Sequence, residues 1–332
     1  MLKILKKALR LTLSSAISLT VLSIFVYFYK YTSTRVITPD APTDFTWTPN
    51  QALNTMEEGF AWLKMDDNGY NNSHEKATGT QVDILLMGSS HILGTEVSAT
   101  ENMGYVLNDL LPFRTYNIGM TGHFLSSCLN NLKYAVKTFN PNRYVIIQTD
   151  SVSPTTEEME QILSGTYSEV ESDSSKLVKL LQTYIPASKK LMIQLEAWRE
   201  ADNRKKKKDI ENHITSNYES ILSKYLASAS RWLGNNSPKL IILYTAPTKL
   251  DDDGNIIRYD NDAAVFSKAC EKNGIIFVDM TDDYCEKFKN DDILVHGFTN
   301  TAVGSGHLNS DGHLITAQRL AQVIKEDIYH EP

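Results

Sequence analysis

The sequence predicts an α/β domain, a three-layer α/β/α sandwich around a mainly parallel sheet, carried behind one N-terminal transmembrane helix. Three observations predict it. From residue 81 onward, short apolar runs alternate with segments of helical period, the pattern of strands joined by crossover helices. The runs are apolar at nearly every position, as expected of strands covered on both faces. Ahead of them lies a long uncharged stretch, residues 11–29, behind a basic flank.

That flank is Lys3, Lys6, Lys7 and Arg10, and the stretch reads "LTLSSAISLTVLSIFVYFY". At about 1.5 Å per residue it just crosses a hydrocarbon core. Tyr27, Tyr29 and Tyr31 stand at its far end, where an interfacial aromatic belt belongs, with Lys30 and Arg35 beyond. A cleaved signal peptide has a shorter apolar core followed by small residues. Here the run ends in "FVYFYKY" with no A-x-A pattern behind it, so an uncleaved anchor is the preferred reading. The early cations hold residues 1–10 in the cytoplasm, which places the rest of the chain outside the cell membrane.

Residues 30–80 are rich in Pro, Thr, Asn and Asp and read as a linker or stalk, with a short helical candidate around "ALNTMEEGFAWLKM". The domain then runs from 81 to 330. "QVDILLMG" is its first strand, "GYVLNDLLP" a helix and "RTYNIG" the second strand. "LSSCLNNLKYAVKTF" has helical period and stops ahead of Pro141, and "RYVIIQT" is the third strand. Residues 155–235 form a charged helical insertion. "KLIILYTAP", a helix over 261–273 and "GIIFVDM" resume the alternation, and "SDGHLITAQRLAQVIKED" is the last helix, capped by Ser310 or Asp311.

With 332 residues, 42% of them hydrophobic, the chain supports a substantial core. Its net charge of -7 argues against a nucleic-acid partner. The run Lys205–Lys208 sits among Glu196, Glu200, Asp202, Asp209 and Glu211 and reads as a solvated helix face. Cys128, Cys270 and Cys285 lack metal-ligand spacing. One disulfide is open to an exported domain, but buried free thiols are the simpler reading. No metal and no organic cofactor is indicated.

In a parallel α/β sheet, ligands bind beyond the C-terminal ends of the strands. "GSSH" follows the first strand and "GMTGH" the second, so both loops open on one edge. "GSGHLNSDGH", residues 304–313, brings a histidine to the start of the last helix. A hydrolytic serine needs such a neighbouring base, and backbone donors for its oxyanion. Each signal alone has a plain structural reading. Small polar residues suit any strand-to-helix turn, and a histidine ahead of a helix is commonly a surface or capping residue.

Taken together, the loops resemble the SGNH hydrolase superfamily, the GDSL lipases and esterases, over residues 81–155 and 238–327. The resemblance implies a flavodoxin-like sheet, Ser90 as nucleophile with Ser89 in place of the usual Asp, and His307 as base. "NIGMTG" matches the family's second block and puts a backbone oxyanion donor at Gly122. Two positions depart from the pattern. Gly304 stands where the triad Asp belongs, and "TDSV" replaces the block that carries the oxyanion Asn. Asp150 and Asp292, in loops that reach the same edge, and Asp279, which ends a strand, are the candidates for the missing acid. His91 and His123 flank the cleft as substrate contacts or as polar loop residues, and His313 on the last helix is structural.

"GSSH" is similar to membrane-anchored relatives that handle acyl groups on bacterial surface polymers. The resemblance thus implies an extracytoplasmic serine esterase or O-acyltransferase for acyl, above all acetyl, esters of a surface polysaccharide or glycolipid. A membrane-bound O-acyltransferase is the partner it suggests. The rival is a binding or assembly module of the same fold with weakened or lost turnover, for which Gly304 and the absent Asn argue.

Overall fold

The computed structural model describes residues 2–28, 35–37, 45–55, 58–72, 82–150, 155–166, 217–233, 238–251, 253–258 and 263–329. The chain divides into two compact units. In the first, the described residues form α1 (Leu2–Phe28). It holds a 19-residue segment, Lys6–Ile24, long and apolar enough to cross a membrane. Leu11, Ile17 and Val21 on it are exposed. An anchor and a signal sequence share this property.

The second unit starts with β1 (Arg35–Ile37), antiparallel to β2 (Phe45–Trp47), and a hairpin of β3 (Ala52–Thr55) and β4 (Ala61–Lys64). β5 (Ile84–Met87) leads through α2 (Ser90–Leu93) and a short 3₁₀ turn to α3 (Met103–Leu110). β6 (Thr115–Asn117), α4 (Leu125–Phe139), β7 (Tyr144–Thr149) and α5 (Thr156–Ser164) follow. Next come α6 (Tyr218–Leu233), β8 (Lys239–Tyr244) and a hairpin of β9 (Thr248–Leu250) and β10 (Ile256–Arg258). The unit closes with α7 (Ala263–Lys272), β11 (Ile276–Asp279), α8 (Thr281–Asp291) and α9 (Ser310–Tyr329).

Five strands form the central sheet in the order β11-β8-β7-β5-β6, every neighbouring pair parallel. Successive side chains of a strand face opposite sides of its sheet, and here both sides are core. Leu85, Met87, Val145, Ile147 and Ile242 pack with residues of α4, α5, α6 and α7. Ile84, Leu86, Ile146, Ile241 and Leu243 pack with residues of α3, α8 and α9. That explains why "ILLM" and "YVII" show no polar alternation: no face of these strands meets water. Each such Ile or Leu contributes roughly 1.5–3 kcal/mol by burial.

Residues 45–55 and 58–72, expected within a linker or stalk, are instead part of the folded unit. Trp47, Leu53, Leu63, Met65 and Tyr70 are buried in the same cluster as α4 and α6. The helix expected around "ALNTMEEGFAWLKM" is the β3–β4 hairpin. Across β4, Ala61 and Leu63 are buried while Trp62 and Lys64 face out, a period of two that a helix cannot serve. Of the helical insertion, the ends α5 and α6 are helices, and Lys205–Lys208 lies outside the described residues. The last helix is capped by Asn309 rather than Ser310 or Asp311: its Oδ1 accepts the Gly312 N–H at 3.0 Å. All three cysteines are free and buried, and burial pushes the Cys270 thiol up to about 12.

Candidate active site

Renumbered along the sheet alone, the strand order is 2-1-3-4-5, and the direction of winding reverses between β5 and β7. A crevice opens at the C-terminal ends of two such strands. Ser89 and Ser90 lie there, at the end of β5, but they are held differently. Ser89 is the N-cap of α2. Its backbone N–H and its hydroxyl both donate to Gln148 Oε1 on β7, at 3.0 and 2.9 Å. Gln148 Nε2 in turn donates to Thr245 Oγ1 at 2.8 Å. Ser89, Gln148 and Thr245 therefore link the C-terminal ends of β5, β7 and β8. Ser90 opens α2, with its hydroxyl 2.7 Å from His307 Nε2.

His307 is fixed by a residue from far away in the chain. Glu58 Oε2 accepts the His307 backbone N–H at 2.7 Å and lies 2.8 Å from its Nδ1, across 249 positions of sequence. A carboxylate only accepts, so it selects the tautomer with hydrogen on Nδ1 and leaves Nε2 to accept the Ser90 proton. The Glu58 and His307 side chains are 27% and 29% exposed, so the pair is sheltered yet reachable. Two glycines flank the pair, one beside each partner. Gly59, at φ +63, brings its backbone so close to Glu96 that a Cβ would lie 2.5 Å from the Glu96 carbonyl. A Cβ on Gly306, at φ +113, would collide with the Glu58 carboxylate itself.

The acid on His307 is thus none of the three aspartates expected. Asp279 Oδ1 accepts the N–H and hydroxyl of Thr281, at 3.0 and 2.6 Å, and holds the start of α8. Asp292 is the left-handed C-cap of α8, at φ 57. Neither they nor Asp150 bonds to His307, whose side-chain partners are Glu58 and Ser90. Gly304 carries no acid because the acid arrives from the β3–β4 hairpin. Sequence reading missed Glu58 because it placed that segment in a stalk. The available signal was "EEGF", an acid ahead of a turn glycine between two β-period runs.

Gly122 is exposed in the turn after β6, at φ +81. His123, in the same turn, is buried, and neither Ser90 nor His307 bonds to it. His91 does belong to the site. Its ring centroid lies 5.3 Å from that of His307, and its Nδ1 accepts the Leu308 N–H at 3.4 Å. His296 packs edge-on to His91 at 6.0 Å and to Tyr284 at 5.4 Å. His313 accepts the Met103 N–H through Nδ1 at 3.3 Å.

Burial, the largest cause, lowers the pKa of all three. His91 falls well below its usual value, with His296, His307 and His313 adding to the effect. His296 falls to about 4 and His313 to about 3. Burial raises the Glu96 carboxyl, opposed by the nearby His307. Among the described residues, no group of His, Cys, Asp and Glu could hold a metal ion.

This cluster predicts a pH effect on stability. Above pH 6.5 the folded and unfolded states both hold His296 neutral. As pH falls from 6.5 towards 4, only the unfolded chain takes up the proton, so stability drops, by on the order of 3 kcal/mol for this one group. Both His296 ring nitrogens are buried without a hydrogen-bond partner among the described residues. His296→Phe therefore loses no bond and should flatten the decline of melting temperature between pH 7 and 4.5. Parallel curves for the two proteins would contradict it.

Compared with protein-family models and with curated proteins, the sequence matches none. Solved structures do resemble it. An acetylxylan esterase from Geobacillus stearothermophilus is 14% identical over 74% of this chain and 95% of that one, with a TM-score of 0.41. A member of the lipolytic G-D-S-L family from Veillonella parvula is 14% identical over 74% and 98%, at 0.40. A protein assigned to the SGNH hydrolases, from Slackia heliotrinireducens, is 16% identical over 73% and 98%, also at 0.40. At such identities and TM-scores the likeness assigns no activity.

Proposed function

We propose that the protein is a serine esterase or O-acyltransferase that works through an ester of Ser90. The unbroken chain from Ser90 Oγ through His307 to Glu58, with links of 2.7 and 2.8 Å, carries this reading. In the first half-reaction, Ser90 Oγ attacks the acyl carbonyl while His307 Nε2 takes its proton. Glu58 holds the Nδ1–H and stabilises the imidazolium. We assign the oxyanion to the backbone N–H groups of Ser90 and Gly122. As the tetrahedral intermediate collapses, the ester C–O bond breaks and the imidazolium protonates the leaving alkoxide. In the second half, water or a sugar hydroxyl loses a proton to His307 and attacks the acyl-serine; the bond from the acyl carbon to Ser90 Oγ then breaks and the imidazolium returns the proton to Ser90 Oγ. Water gives hydrolysis, and a hydroxyl gives transfer.

The apolar segment of α1 supports a membrane-anchored protein with this domain outside, facing acylated surface glycans or glycolipids. A membrane-bound O-acyltransferase would be the natural acyl source for the transfer reaction. Glu58 also weakens the case for a module without turnover, since the apparent lack of an acid was half of that case. Purified full-length protein in detergent should release acetate from 4-nitrophenyl acetate and lose that turnover in Ser90→Ala. Equal background rates in both proteins, on every acyl ester tried, would leave the binding module standing.

A further inference from the structure

The aromatic residues after Glu58 are unusually exposed. Phe60 and Trp62 are 59% and 54% accessible, and their rings meet nearly at right angles, 6.1 Å between centroids. Trp62 must point outward, because Ala61 and Leu63 on either side of it fill the core. Phe60 also lines an open cleft of about 640 Å³ together with Gly59, Gly297, Phe298, Thr299 and Asn300.

The cleft is built onto the catalytic group. Gly59 follows Glu58 directly, and the Gly297 N–H donates to the His307 carbonyl at 2.9 Å. Asn300 Oδ1 accepts the Gly59 N–H at 2.9 Å, tying the two walls together. Thr301 Oγ1 accepts the Phe298 N–H at 2.8 Å, and the Phe298 ring lies against Gly59. These bonds fix the walls in place.

Given the acyl-transfer reading of Ser90, on which this inference rests, the geometry points to a sugar-binding subsite. Its occupant is an uncharged pyranose of the chain that bears the acyl group. A pyranose presents apolar C–H faces ringed by hydroxyls. The Phe60 and Trp62 rings offer flat apolar faces for the former, while the exposed Thr299 hydroxyl offers a polar partner for the latter. None of the six lining residues carries a charge, so nothing there would select an anionic polymer. Exposed aromatic surface of this kind is costly in water and commonly marks a binding site. A bilayer surface is the competing occupant, but it would engage Trp62 and leave the cleft beside the triad unused.

The test compares Phe60→Ala and Trp62→Ala with wild type, full-length in detergent, on acetylated cellotriose and on 4-nitrophenyl acetate. Each substitution should raise KM for the oligosaccharide by roughly tenfold, as expected for a lost aromatic contact. Turnover of 4-nitrophenyl acetate, too small to reach the platform, should be unchanged, and Phe60→Tyr and Trp62→Phe should retain oligosaccharide affinity. Equal losses on both substrates, or no loss on either, would overturn the subsite. So would wild-type affinity for the sugar together with lost binding to phosphatidylcholine vesicles, which would make the pair a membrane contact. Quenching of tryptophan fluorescence by acetylated cellotriose in the Ser90→Ala protein, lost on adding Phe60→Ala, tests the subsite even if 4-nitrophenyl acetate is not turned over. Absence of that quenching in the Ser90→Ala protein contradicts the subsite and leaves the Ser90 reading to its own assay.

Discussion

Glu58→Gln should lower kcat on 4-nitrophenyl acetate by roughly 10²- to 10⁴-fold while moving KM little. In the wild type one oxygen, Glu58 Oε2, accepts both the backbone N–H and the ring Nδ1–H of His307. Glutamine preserves size and can keep an oxygen there, so the imidazole stays close to its place. The negative charge is lost. That charge matters most once His307 has taken the Ser90 proton, and an interaction stronger in the transition state appears in kcat. If the amide turns its nitrogen towards Nδ1 instead, the wrong tautomer is favoured and the loss reaches the upper end of the range. Glu58→Asp, one methylene shorter, should fall between. Asp150→Asn, Asp279→Asn and Asp292→Asn should stay within a few-fold of wild type. A large loss in one of those three with an active Glu58→Gln would return the acid role to an aspartate.

Ser90→Ala should reduce hydrolysis to the uncatalysed background and leave the melting temperature nearly unchanged. Its hydroxyl bonds to His307 and is half-buried at the mouth of the crevice, so no buried partner is orphaned by its removal. Ser89→Ala should behave in the opposite way. Removing that hydroxyl deletes one of the two bonds into Gln148 Oε1, which is buried, and should cost about 0.5–1.5 kcal/mol of stability. Turnover should survive wherever the protein remains folded. The adjacent serines thus separate by readout, one through rate and the other through melting.

Much of this architecture was legible in the residues. "ILLM" and "YVIIQT" are apolar throughout because both sheet faces are covered, and "LSSCLNNLKYAVKTF" coincides with α4 from its first residue to its last. Ser90 and His307 could be placed because each sits where a strand or helix boundary meets the same sheet edge. Glu58 could not. Its role depends on a contact across 249 positions, and the hairpin that delivers it was hidden by a polar, stalk-like composition and an apparent helical segment. The histidine cluster was equally hidden. His313 reads as a structural residue of the last helix, and no sequence pattern singles out His296. The β-bridge between His296 and Leu308 and the Met103–His313 hydrogen bond draw them into the cluster.

Reaction of the purified, folded protein with a fluorophosphonate, followed by intact-mass analysis and peptide mapping, tests the Ser90–His307–Glu58 relay most directly. A fluorophosphonate reacts only with a serine whose proton a neighbouring base can remove, and needs no knowledge of the natural acyl group. The expected result is a single adduct on Ser90, absent in Ser90→Ala and formed far more slowly in Glu58→Gln. No adduct on the folded wild type, or an adduct on Ser90 whose rate is indifferent to Glu58, would contradict it.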